Sequence, residues 1–110
     1  MVIGECLSDE QVKAFTDIYN GSVLPELPGH TGWLASELMT EEAGNMVIAL
    51  TTWETREDCL RYHSSRSYRS FVAKTQHMLA GNFVVKIFQS ERTTAKSLNA
   101  CDHKGLCLCR

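Results

Sequence analysis

The sequence predicts an α+β fold in the order strand, helix, strand, strand, helix, strand. Three observations carry it. Residues 1–7, 31–39, 46–53 and 83–88 are apolar or β-branched runs of strand length. Between them lie two helical patterns, one after Ser8 and one after Thr55, each with a polar capping partner three residues on. The chain has 110 residues, 44% hydrophobic and 22% charged, which is the size and composition of one globular domain. That order is the split βαβ, ferredoxin-like arrangement, βαββαβ: a four-stranded antiparallel sheet with two helices on one face.

The first strand, residues 1–7, carries a single charge, Glu5. Ser8 and Gln11 then form a capping box, and Asp9 and Glu10 suit the positive end of the helix dipole. Val12, Phe15, Tyr19 and Val23 recur at helical spacing. Asn20-Gly21 is a candidate end, Pro25 disfavours helix at Leu24, and Pro28-Gly29 is a turn. On the second strand, strict alternation puts Trp33, Ala35, Glu37 and Met39 on one face and Leu34, Ser36 and Leu38 on the other. Residues 40–45 read as a hairpin connection to the third strand. Thr55 caps the second helical region with Asp58 as partner, and residues 63–67 mark a break or a second cap. Tyr68, Phe71, Val72, Thr75 and Leu79 continue one apolar face, which Gly81-Asn82 ends. Residues 83–88 supply the last strand.

Helices cover only one face of such a sheet, yet the third and last strands are apolar on both. Met46, Ile48 and Leu50 back onto Val47, Ala49 and Trp53; Phe83, Val85 and Ile87 back onto Val84 and Phe88. An uncovered apolar face predicts a homodimer packed sheet to sheet.

Formal charge is −2, from 11 basic and 13 acidic side chains. That excludes a protein built mainly to bind nucleic acid, and no apolar run approaches a membrane span. The expected setting is the cytoplasm, with reduced thiols and no cleaved leader. The charge divides unevenly. Residues 1–90 hold 11 acids and 7 bases, a net of −4; residues 91–110 hold 2 acids and 4 bases, a net of +2. The chain therefore divides into a folded body, 1–90, and a Cys-rich C-terminal extension, 91–110, expected to be flexible. In the extension, Cys101, His103, Cys107 and Cys109 are spaced too tightly for a standard tetrahedral zinc site, so no metal is expected. Cys6 and Cys59 are read as buried small apolar residues.

Three motifs in order resemble the antibiotic biosynthesis monooxygenase-like family of the dimeric α/β-barrel superfamily. They are Pro28-Gly29-His30-Thr31-Gly32-Trp33, then Trp53-Glu54-Thr55-Arg56-Glu57, then Tyr62 followed by a break and Tyr68-Arg69-Ser70-Phe71. The likeness spans about residues 2–89. It implies a dimer, a small pocket between sheet and helices, and three options: cofactor-free oxidation of phenolic compounds, haem degradation, or no assigned activity. For haem degradation, the family's helical Trp and iron-binding His fall on Tyr62 and Val72, and valine cannot ligate iron. The family's polar Asn on the first strand is also missing; Glu5 and Cys6 are the polar groups there.

Cofactor-free oxidation needs a base, a hydrogen-bonding group and an aromatic wall. His63 and Tyr68 are the candidates for catalysis; Trp33, Trp53, Tyr62 and Phe71 are the candidates for binding the substrate. Each has a plainer reading. Trp53 could fill a corner of the core, Phe71 could be a core residue, and His63 could be a solvent-facing loop histidine. His30 and His77 are read as surface residues. Arg56, Arg61, Arg66, Arg69 and Lys74 are read as a solvated face paired with Glu57 and Asp58, rather than as an attractor for an anionic substrate. The sequence thus points to a cofactor-independent monooxygenase acting on a small aromatic or phenolic compound. The alternative is a non-catalytic small-ligand-binding dimer of the same fold.

Overall fold

The computed structural model describes residues 1–91. The extension expected beyond residue 90, with Cys101, His103, Cys107 and Cys109, lies outside the described residues apart from Glu91. The elements are β1 (Val2–Glu5), α1 (Asp9–Ile18), β2 (Trp33–Thr40), β3 (Met46–Trp53), α2 (Arg56–His63), α3 (Arg66–Thr75) and β4 (Val84–Val85). The four strands form one antiparallel sheet in the order β2-β3-β1-β4. This is the expected βαββαβ arrangement.

Capping decides where the helices start. Ser8 Oγ accepts the amide of Gln11 (3.3 Å) at α1. Thr55 Oγ1 accepts the amide of Asp58 (3.1 Å) at α2 and donates back to its carboxylate (2.9 Å). The break after His63 is a true second cap: Ser65 Oγ accepts the amide of Tyr68 (3.2 Å) and starts α3. Helix α1 does not end at Asn20-Gly21. It widens into a π turn, Tyr19–Val23, which buries Tyr19 and Val23. Helix α3 ends at Thr75, earlier than Gly81-Asn82 suggests, and passes through a 3-10 turn at Gln76–Met78.

The core lies between the sheet and the helices. Val2, Val47 and Ala49 project from the sheet onto Phe15, Tyr19 and Phe71. Phe71 stacks on Phe83 (ring centroids 5.5 Å apart) and meets Phe15 edge-on at 5.6 Å.

Two strands differ from the sequence pattern. A register shift between Trp33 and Ala35 makes Leu34 an extra residue in β2. Trp33 therefore pairs with Trp53 and packs against the core, on the side of Ser36 and Leu38 and not with Ala35, Glu37 and Met39. Leu34 is left exposed. Strand β4 is only two residues long, because β1 offers just Val2 and Ile3 as partners before the ladder with β4 stops.

The face away from the helices carries an apolar row across all four strands. Met39 pairs with Ile48, Ile48 with Ile3, and Ile3 with Val84. Met39 and Val84 are exposed, and no element among the described residues covers the row.

Candidate functional site

Gly32 prepares the mouth of the helix side. Its φ of +84° is open to glycine, and a Cβ there would overlap the Asp58 carboxylate. Asp58 sits directly beneath, holding Thr55 and Arg61 (2.7 Å). These bonds, Thr55 first, hold its carboxyl below the usual range. The second glycine of the Pro28–Trp33 motif thus lets the chain close onto the start of α2.

Behind this closure, α2, α3 and the end of β3 set five of the six candidate residues around one small cavity. Trp53, Tyr62, His63, Tyr68 and Phe71 all line it, together with Tyr19, Thr51 and Cys59. Its volume is about 20 Å³, room for one water or one dioxygen. Trp33 is not there: the bulge turns it toward the core elsewhere, and its indole nitrogen is buried without a partner.

His63 is half-buried, not a solvent-facing loop residue. Its Nδ1–H donates to the carbonyl oxygen of Cys59 (3.1 Å), and Cys59 Sγ lies 3.6 Å from the same nitrogen. A carbonyl can only accept, so the lone pair is left on Nε2. Burial pushes the imidazole below its ordinary value, with the Cys59 carbonyl opposing. His63 is therefore a neutral acceptor at pH 7. Tyr68 meets it edge-on, with ring centroids 4.7 Å apart. Burial pushes Tyr68 and Tyr19 upward, so both hydroxyls keep their protons.

Tyr19 is the residue the sequence did not mark, since it reads simply as part of the apolar face of α1. Its hydroxyl is buried and makes no hydrogen bond of good geometry. The hydroxyls of Ser36 and Thr51 are nonetheless close enough to favour its ionised form. Tyr62, the third phenol of the lining, is pushed up in the same way, so the cavity brings together one neutral acceptor and three protonated phenols.

The aromatic wall is continuous. Trp53 lies 5.2 Å from Tyr62, and Tyr62 lies 5.6 Å from Tyr68. His30, expected at the surface, is half-buried with its ring 5.0 Å from Tyr62. His77 is exposed, and Val72 packs against the core.

A second, larger space adjoins the first. A groove of about 170 Å³ runs between the π turn and α3. Val23, Tyr62 and Phe71 line both spaces and form the wall between them. Among the described residues, no three His, Cys, Asp or Glu side chains come together as a metal site. No helix among them is long and apolar enough to cross a membrane.

No family model matches the sequence, and no curated protein matches it significantly. Solved structures match the fold. A candidate antibiotic biosynthesis monooxygenase from Nitrosomonas europaea superposes with a TM-score of 0.71 at 11% identity, covering 84% of this chain and 89% of that one. A monooxygenase from Streptomyces coelicolor, solved with the ligand nanaomycin D, gives 0.65 at 12% identity over 84% and 88%. A conserved protein from Methanosarcina mazei gives 0.70 at 14% identity over 82% and 90%. The chain has the fold of antibiotic biosynthesis monooxygenase structures.

Proposed function

We propose that this protein is a cofactor-independent monooxygenase that converts a small phenolic compound to a quinone. One observation carries the reading: a neutral, half-buried His63 with its lone pair on Nε2 shares a cavity with protonated tyrosines inside this fold. His63 takes the phenol proton, and the Tyr68 and Tyr19 hydroxyls hold the oxygen anion. The anion passes one electron to dioxygen. The resulting radical pair joins at a ring carbon, and the hydroperoxide so formed loses water. One oxygen atom stays on the ring and the other leaves as water, while the ring compound gives up two hydrogens.

The inner cavity admits dioxygen but not a ring. Substrate entry therefore requires the Val23–Tyr62–Phe71 wall to open and join the cavity to the groove. Trp53, Tyr62 and Phe71 then provide the aromatic surface for the ring; Trp33 lines neither space and has no such role in this reading.

We further assign a homodimer through the open sheet face, supported by the row from Met39 to Val84. A cytoplasmic setting suits the buried free thiols of Cys6 and Cys59.

The test is oxygen uptake by the pure protein with single-ring hydroquinones, in the presence of a chelator. One dioxygen consumed per quinone formed, above a denatured control, is the expected result. No uptake across a panel of such substrates overturns the oxygenase reading. It would leave a non-catalytic ligand-binding dimer, a reading favoured by the larger groove lying outside the His63 cavity.

A further inference from the structure

The five basic residues of α2 and α3 do not behave as one solvated face. Arg61 is paired with Asp58 at 2.7 Å. Arg69 donates to the Ser64 carbonyl at 2.7 Å. Arg66 and Lys74 are different: both line the groove, and neither forms an ion pair among the described residues. They stand about two turns apart on α3, along the same groove, so their charges add there. One acid, Glu26, shares the lining, which leaves one positive charge in surplus.

We infer that this groove is a binding site for a small aromatic carboxylate, whose anionic group is read by Arg66 and Lys74. The walls fit such a guest. Val23, Leu27 and Phe71 offer a buried apolar floor for a ring, and Ser22, Ser67 and Ser70 offer hydroxyls around it. The volume sets the size. At about 170 Å³ the groove lies below the range of drug-sized sites, so it takes one ring and not a fused polycycle. The start of α3 adds to the preference for an anion. Ser65 Oγ caps the amide of Tyr68, while the amides of Arg66 and Ser67 have no acceptor within the helix. Glu26 works against an anion, and its charge also reaches the Tyr62 hydroxyl on the dividing wall. Glu26 thus weakens the hold on a carboxylate, and its removal strengthens binding.

The inference adds a ligand class to the oxygenase reading, on which it rests for any turnover, but the binding itself is measured without oxygen. The experiment is anaerobic calorimetric titration with benzoate and with its neutral counterpart, benzyl alcohol. Benzoate is expected to bind more tightly than benzyl alcohol, and 1 M salt is expected to weaken benzoate alone. The double variant Arg66→Gln/Lys74→Gln weakens benzoate by about tenfold or more and leaves benzyl alcohol unchanged. Glu26→Gln moves benzoate the other way, so a double variant that fails to fold does not end the test. Lys13→Gln, an exposed change on α1, alters neither. Equal affinity for the two ligands, no binding of benzoate, or no response to either set of variants overturns the inference. Benzoate binding without oxygen uptake from any phenol sinks the oxygenase reading alone. Oxygen uptake from a phenol, together with benzoate binding no tighter than benzyl alcohol, sinks the carboxylate site alone.

Discussion

His63 Nδ1 lies 3.1 Å from the carbonyl oxygen of Cys59, one helical turn earlier, and this contact sets the chemistry of the whole imidazole. The bond uses the only ring proton of the neutral form, so the second nitrogen is a base by default. A helix supplies the orientation with no third residue.

Removing that base has a defined cost. His63→Gln is expected to lower the rate of oxygen uptake by about 10²-fold or more, the usual contribution of a general base. The pH dependence follows from the direction of the shift. Burial holds His63 below its ordinary 6.5, so the working neutral form predominates above that pH and is lost as pH falls through the lowered value. The profile therefore descends on the acid side, with its midpoint below pH 6.5. Stability has the same sign, because the unfolded histidine binds its proton more readily. A rate that rises as the pH drops below 6.5 would refute the assignment.

Gly32 and Asp58 make a second test, of the fold. Gly32→Ala meets both a strained φ and the Asp58 carboxylate, and is expected to cost about 2 kcal/mol or more in denaturant unfolding. Asp58 has its carboxyl lowered by Thr55 and Arg61, so its contribution is present above pH 3.8 and is lost as pH falls through the lowered value. In Asp58→Asn the acid limb of the stability curve should become shallower.

The open face predicts a change of assembly. Ile48→Lys places a charge in the middle of the Met39–Ile48–Ile3–Val84 row. Light scattering should report a dimer for the parent chain and a monomer for the variant, with the helical circular dichroism retained. A parent chain that is monomeric at micromolar concentration would defeat the sheet-to-sheet assignment.

Tyr19→Phe separates stability from activity. The ring keeps its edge-on contact with Phe71 at 6.2 Å, and only a buried hydroxyl without a well-formed bond is removed. Stability is expected to hold or to rise by about 1 kcal/mol. Oxygen uptake is expected to fall, because one of the two donors to the phenolate is gone. Loss of both would mean that the hydroxyl is structural.

Much of the scaffold is legible in the chain because local rules place it. Ser8, Thr55 and Ser65 begin helices through their own hydroxyls, and Phe15, Tyr19 and Phe71 follow helical spacing into the core. The bulge at Leu34 is not legible, since a period of two assumes an unbroken ladder and Trp33-Leu34-Ala35 contains no glycine or proline to mark the extra residue. The length of β4 is hidden for another reason: Phe83 to Phe88 are apolar apart from Lys86, but the partner strand decides how many of them pair. The cavity residues of α2 and α3 could be listed as candidates from type and spacing. The free hydroxyl of Tyr19 and the separation of Arg66 and Lys74 from the other bases depend on how the π turn meets α3, which no local pattern encodes.

The extra residue in β2 has an effect beyond turning Trp33. β2 is an outer strand of the sheet, eight residues long, with one side of its backbone unpaired. A flat strand of that length would be a template on which further chains could zip, one after another, into a fibre. The irregularity at Leu34 twists that margin and interrupts its donor–acceptor rhythm. It acts as a brake on polymerisation along that margin.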